Sequence, residues 1–338
     1  MLKRLVWLLL LLVGAAGVAA AVVQSRLSMP FRGFSEPEVF VDLPTGTSVS
    51  GIAARLEEAG VVRDAMTFRI AARLSGEERR LQAGEYRFAV SATPYEIVSR
   101  LARGDVFTRP VTVPEGLTIF EVAAIAERAG LGTAAEFIAS ARNASLIGEF
   151  DPEARTLEGY LFPDTYPLSR KAGVDGLVQA MVTRFGTAYD VNLRAAATAA
   201  GLDTREVVTL ASIIEKETGR PEERPLVAAV YRNRLRIGMP LQCDPTVIYA
   251  LMLKNRWNGN LTRADLEMES PYNTYRVTGL PPGPIASPGR DSLDAAVHPA
   301  PVDYLYFVSR NDGSHAFAAT LAEHNRNVAT FQLHRGRD

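Results

Sequence analysis

Arg205-Glu-Val-Val-Thr-Leu-Ala-Ser-Ile-Ile-Glu-Lys-Glu-Thr218 is the stretch on which the reading of this chain turns. Val207, Leu210, Ala211 and Ile214 recur at helical spacing and make one apolar stripe, the pattern of a helix buried along one face. Glu215 and Glu217 leave that stripe at its C-terminal end. Two positions apart, they project about 200° apart around the helix and cannot share one proton as a facing pair would. The helix dipole disfavours a carboxylate at this end, and partial burial acts in the same direction. Either glutamate could therefore keep its proton toward neutral pH, as a general acid must. The alternative is that both are solvated and pair with Lys216, Arg220 or Arg224.

Moving toward the C-terminus, Leu226 to Leu235 reads as a second helix after Pro225. The segment from Tyr231 to Thr246 then concentrates Asn, Gln, Asp and Arg side chains suited to sugar hydroxyls. Asp244-Pro245-Thr246 also reads as a helix start, with Asp244 as N-cap and Pro245 at the first helical position. Ser270-Pro-Tyr-Asn-Thr-Tyr275 joins two tyrosines to polar partners, and aromatic faces stack on sugar rings. Gly279 to Gly289 is a long, stiff, proline-rich loop, either functional or a connector. Tyr304 to Val308 reads as a buried strand. His298, His315, His324 and His334 lack the spacing of a zinc helix, so no metal and no cofactor is expected. A nucleophile elbow, a P-loop and a GxGxxG turn are all absent, and no internal repeat is evident.

Toward the N-terminus, Val111-Thr-Val113 predicts a strand, followed by a turn at Pro114-Glu-Gly116 and a helix carrying Ile119, Val122, Ala123 and Ala126. Before it lies a smaller module at 39–105. Val39 to Val41 predicts a strand, Ile52 to Ala59 a helix closed by Gly60, Leu81 to Ala89 a second strand, and Thr93-Pro94 a helix ending at Gly104. Gln24 to about Val39 reads as a linker. Lys3 and Arg4 precede an uncharged run from Leu5 to Val23, about 19 residues or roughly 28 Å of helix, enough to cross a bilayer with the remainder outside. A cleaved signal peptide ending near Ala19-Ala-Ala21 is the alternative, and it exports the chain equally. The 338 residues are 47% hydrophobic and 22% charged, with a net charge of -1. That composition is globular and argues against a nucleic-acid partner. The one cysteine, Cys243, excludes an intramolecular disulfide and a thiolate zinc site.

Several stretches together resemble the YceG-like family. They are Leu157-Glu-Gly-Tyr-Leu-Phe-Pro-Asp-Thr-Tyr166, Ala211-Ser-Ile-Ile-Glu-Lys-Glu-Thr218, Asn233-Arg-Leu-Arg-Ile-Gly-Met239 and Leu241-Gln-Cys-Asp-Pro-Thr-Val-Ile-Tyr249. Tyr272-Asn-Thr-Tyr275 with Thr278-Gly-Leu-Pro-Pro-Gly-Pro-Ile-Ala286, and Ala296-Val-His-Pro-Ala300 leading into Tyr304-Leu-Tyr-Phe-Val308, complete the set in family order. The resemblance implies an α+β protein with an N-terminal transmembrane helix (1–25), a linker (26–38), a small LysM-like βααβ module (39–105) and a larger mixed α+β catalytic domain (108–335). It implies a single-pass inner-membrane location with the body in the periplasm. It implies lytic cleavage of the β-1,4 bond between N-acetylmuramic acid and N-acetylglucosamine, leaving a 1,6-anhydro end and limiting nascent strands. The implied partners are peptidoglycan strands, the lipid bilayer, and wall synthases such as penicillin-binding proteins.

The family's catalytic glutamate lies in its Glu-Lys-Glu motif and is matched to Glu217, with Glu215 the second choice. Gln242, Asp244, Tyr272, Asn273, Thr274 and Tyr275 are the candidate substrate contacts. Of these, Gln242, Asn273 and Thr274 would touch sugar or orient the glutamate. Cys243 departs from the threonine expected in relatives. The rival readings are a true hydrolase of the same bond, a non-catalytic glycan-binding tether for wall synthases, and a scaffold without sugar affinity.

Overall fold

The structure is a computed structural model that describes residues 2–333; His334 lies outside the described residues. The chain divides into two compact units, Met1–Thr108 and Arg109–Asp338.

In the first unit, α1 (Leu2–Ser28) is followed by β1 (Val39–Leu43), α2 (Val49–Glu58), α3 (Ala65–Leu74), β2 (Gly84–Phe88) and α4 (Pro94–Arg103). β1 and β2 pair antiparallel, Val41 opposite Tyr86. Leu43, Leu56, Phe68, Tyr86 and Leu101 are buried between that ribbon and the helices. α4 shows why the helices stop where they do. Thr93 and Glu96 form a reciprocal capping box at its start, and Gly104 ends it in the left-handed region at φ 71°. α3, which the residue-by-residue reading did not locate, is the second helix of the expected βααβ order.

Two expected boundaries are corrected. α1 continues to Ser28, past the expected limit at residue 25, because Leu27 is buried in the module's core. The expected linker is also packed: Phe31 bridges Ala92, and the Gly33 N–H donates to the Gly60 carbonyl at 2.8 Å.

The second unit opens with β3 (Arg109–Val113), α5 (Ile119–Arg128), α6 (Ala134–Ala141), β4 (Asp164–Leu168) and α7 (Gly173–Ala188). Then come α8 (Val191–Ala199), α9 (Thr204–Glu217), α10 (Arg224–Arg236), α11 (Asp244–Leu253) and α12 (Arg263–Leu266). α13 (Arg290–Val297), β5 (Tyr306–Ser309), β6 (His315–Ala318) and α14 (Leu321–Val328) complete it. The strands pair β3 with β4 and β5 with β6, both antiparallel. β5 begins two residues later than expected and is half-buried rather than buried. The core is built around α9, whose residues from Val207 to Ile214 are all buried.

The structure also overturns the absence of a repeat. β1-α2-α3-β2-α4 and β3-α5-α6-β4-α7 follow the same order of elements. Val41-Asp-Leu-Pro-Thr-Gly-Thr-Ser48 aligns without a gap on Val111-Thr-Val-Pro-Glu-Gly-Leu-Thr118. Ser48 and Thr118 both cap their helices through the side chain, and Gly46 and Gly116 both take positive φ, 84° and 76°. Gly60 and Gly130 end the two helices at φ 68° and 71°. Glu57 and Glu127 then each accept the first N–H of the next helix, from Ala65 at 3.2 Å and Ala134 at 3.1 Å. The identities are sparse, and they fall where backbone geometry restricts the choice of residue.

Candidate active site

α9 starts at a capping box between Asp203 and Glu206 and ends at Thr218, whose backbone is extended, just before Gly219. Its last turn sends the two glutamates to different surroundings. Glu215 follows Val208 and Ser212 along one face, against the proline-rich loop. The Ile285 N–H donates to Ser212 Oγ at 3.1 Å, and the Gly289 N–H donates to Glu215 Oε2 at 2.9 Å. Arg224 donates to Glu215 Oε1 at 3.1 Å, and both side chains are under a tenth exposed. Asp291 and Glu115 also reach Arg224, at 3.4 and 3.5 Å. Glu215 is thus committed to an ion-pair network that ties α9, α10 and the loop together.

Glu217 turns the other way. The buried Tyr231 of α10 donates its hydroxyl to Glu217 Oε1 at 2.7 Å, and the buried Cys243 thiol donates as well. The residue remains partly accessible at the surface. Burial pushes its pKa above the usual carboxylate range; the two donors, and the charge of His315, pull against that rise, while the charge of Asp244 adds to it. Tyr231 is itself held edge-on by Phe307, with ring centroids 6.0 Å apart. His315 is oriented by Glu223, which accepts from its backbone N–H at 2.9 Å and lies 2.6 Å from its Nδ1.

The turn before α11 is pinned from beneath. The buried Arg234 donates to the carbonyls of Leu305 and Leu241 at 2.7 and 2.6 Å, and Asn233 donates to those of Val302 and Tyr304. Gln242 leaves this turn exposed, at φ 52°, a strained backbone for a residue with a side chain. The expected cap is corrected by one position. α11 begins at Asp244, Cys243 is its N-cap, and no side chain caps it. Asp244 is freed from that task and instead accepts from the Tyr275 hydroxyl at 2.6 Å.

Glu217, Asp244 and Tyr275 lie close enough for their charges to act on one another, and the exposed Gln242 stands two positions before Asp244 in the chain. Asn273 and Thr274 are not available to a ligand, because both are fully buried. The Asn273 amide donates to the carbonyls of Leu266 and Met268 at 2.9 and 2.7 Å, and Thr274 Oγ1 accepts from the Cys243 N–H at 3.0 Å. Of the two roles expected of them, direct sugar contact gives way to support: Asn273 holds the loop, and Thr274 holds Cys243, which donates to Glu217.

Tyr272 packs on Tyr249, with centroids 5.1 Å apart, and lines a cavity of about 370 Å³ with Glu158, Arg155 and Arg205. Glu158 is buried there and accepts from the Ile119 N–H at the start of α5 at 3.2 Å. Burial raises its pKa to about 8. Asp151, in the same cavity, pairs with Arg205 and accepts from the Tyr160 hydroxyl at 2.6 Å. Tyr231, Cys243 and His315 are the neighbours of Glu217 that sequence reasoning did not assign. Helical spacing on α10 would have placed Tyr231 one turn before Leu235, but nothing in the sequence aims its hydroxyl at α9. Among the described residues no cluster of metal-ligating side chains occurs.

The fold is α+β, and the end of α9 holds one glutamate between a phenol and a thiol while its neighbour is locked in an ion pair. The chain belongs to the YceG-like family, whose model matches residues 41–330. It is 32% identical over 313 residues to the endolytic murein transglycosylase of Bacillus subtilis, covering 88% of this chain and 86% of that protein. It is 32% identical over 360 residues to the protein of the same name from Streptococcus pneumoniae serotype 2, covering 96% of this chain and 64% of that protein. The crystal structure of a YceG-like protein from Listeria monocytogenes superposes with a TM-score of 0.58 at 31% identity, covering 86% of this chain and 99% of that one.

Proposed function

We propose that this chain is an endolytic lytic transglycosylase of peptidoglycan with Glu217 as its one acid and base. The reading is carried by the carboxyl of Glu217, which is lifted in pKa by burial and held by Tyr231 and Cys243, on a residue that is only partly buried. The names of the relatives in Bacillus and Streptococcus support it. Protonated Glu217 gives its proton to the glycosidic oxygen as the bond between N-acetylmuramic acid and N-acetylglucosamine breaks. The resulting carboxylate takes the proton of the muramic acid 6-hydroxyl, whose oxygen closes on the anomeric carbon. No water is consumed, and the strand ends in a 1,6-anhydro sugar. Because the nucleophile belongs to the same sugar, the second carboxylate of ordinary glycosidases is not required.

Gln242, Asp244 and Tyr275 are placed in this reading as the sugar contacts. The βααβ module is read as LysM-like and glycan-binding. α1 is read as a single membrane span that leaves the body outside the inner membrane, where cleavage would limit nascent strands beside the wall synthases. By length and composition α1 is the one described helix able to cross a bilayer.

The test is digestion of purified peptidoglycan followed by mass spectrometry. Wild type is expected to release anhydro-ended products, and Glu217→Gln to lose at least about 100-fold in rate, the usual scale of general acid catalysis. Reducing ends one water heavier would make the enzyme a hydrolase. Undigested wall that is still bound by the protein would favour the non-catalytic tether.

A further inference from the structure

We propose that the first unit holds one anionic phospholipid of the outer leaflet where α1 emerges from the bilayer. This rests on the reading of α1 as a membrane span and goes beyond the glycan chemistry.

A cavity of about 490 Å³ lies between α1 and Arg63, lined on the helix by Val18, Ala21, Val22, Ser25, Arg26 and Met29, so the wall is apolar up to Val22 and polar at Ser25 and Arg26. These positions follow the i, i+3, i+4 spacing and form one stripe along the helix. Val18, Val22 and Met29 are each half exposed or more. In water that stripe would be a liability; inside a bilayer it is a wall for an acyl chain. Arg26 stands about one turn above Val22, roughly 6 Å along the axis, where the headgroups begin.

Two arginines, Arg26 and Arg63, line this cavity. Arg26 reaches Asp64 at 3.4 Å and is still 53% exposed. Arg63 is exposed, lies over the Phe31 ring at 4.9 Å, and has no carboxylate partner among the described residues. Stacking on an aromatic ring orients a guanidinium without neutralising it, so its N–H fork stays available to phosphate. Two arginines against one aspartate leave the site positive, which favours an anionic headgroup over a zwitterionic one. The geometry is held fixed because Leu27, between the two ends of the stripe, is buried in the module's core. A free anion would use the arginines alone; the adjoining apolar stripe is what selects a lipid.

The test is native mass spectrometry of the full chain, released from detergent in the presence of equimolar phosphatidylglycerol and phosphatidylcholine. Wild type is expected to retain one phosphatidylglycerol, with a preference of roughly five-fold for each arginine engaged. Arg63→Glu is expected to abolish the preference. Arg155→Glu, which changes an exposed arginine of the other unit, is expected to keep it. Equal retention of both lipids by wild type, an unchanged preference in Arg63→Glu, or an equal loss in Arg155→Glu would each overturn the proposal. A chain that stays out of the membrane fraction refutes the span and this site with it, whereas failed digestion of peptidoglycan refutes the glycan-cleaving reading and leaves this site standing.

Discussion

At the scale of single residues, the proposed chemistry rests on the contrast between Glu215, locked in ion pairs, and Glu217, held by a phenol and a thiol. Glu215→Gln removes the most buried of Arg224's three carboxylate partners and leaves Asp291 and Glu115, which should cost about 2 kcal/mol of stability. The protein that remains folded should still cleave glycan, and thermal melts beside initial rates would show both. Glu217→Gln should behave in the opposite way. The folded pKa of Glu217 lies above its unfolded value, so the favourable protonated state is fully present at low pH and is lost as pH rises. A neutral amide escapes that loss. The variant should therefore melt higher than wild type, by a margin that widens from acid to neutral pH, while being inactive; a lower melting point at neutral pH would contradict the raised pKa. Tyr231 donates to Glu217 and favours its ionised form. Tyr231→Phe should then raise the pKa further and move the alkaline limb of the kcat/KM profile to higher pH. Much of this was legible before the fold was known: the Glu-Lys-Glu spacing narrowed the acid to two residues, and Arg224 was among the expected partners. The resemblance pointed to Glu217, but spacing alone did not choose, because the difference depends on a phenol fourteen positions away and on a thiol at the start of α11.

At the scale of elements, the helices with polar caps and apolar stripes could be read directly, α9 above all. α11 was misplaced by one residue because Asp-Pro reads as cap and first turn, whereas Asp244 is held by Tyr275. Glu158 could not be read at all. Its sequence neighbours give no sign that a carboxyl will be buried against the first turn of α5, where it accepts from Ile119. With a folded pKa of about 8, it keeps its proton where the unfolded chain has lost it. Stability should fall as pH rises between the ordinary carboxylate range and about 8, by up to about 1.4 kcal/mol per unit. Glu158→Gln should flatten that slope, as urea melts across the interval would reveal. An unchanged slope would mean that Glu158 is ionised in the fold, stabilised by the N–H groups of α5.

At the scale of the whole molecule, the chain carries two cores, one beneath each copy of the repeated βααβα arrangement. The copies share few identities, which is why the repeat escaped a reading based on sequence similarity; what they share is a set of left-handed glycines and capping residues. Phe68 and Phe137 occupy related positions in α3 and α6 and are both fully buried. Calorimetry should resolve two transitions. Phe68→Ala should lower one and Phe137→Ala the other, each by the equivalent of about 3–5 kcal/mol. If either substitution lowered both transitions together, the two units would be melting as one.

Leu27 has a practical consequence for anyone who would prepare the protein without detergent. Trimming the chain at residue 30 discards a plug from the module's interior along with the greasy segment, and the hollow left behind would loosen a body meant to be merely shortened. A cut after Ala21, where a signal peptidase would act, spares that plug. The two ways of freeing the body are therefore not interchangeable, and the shorter product should be the frailer one.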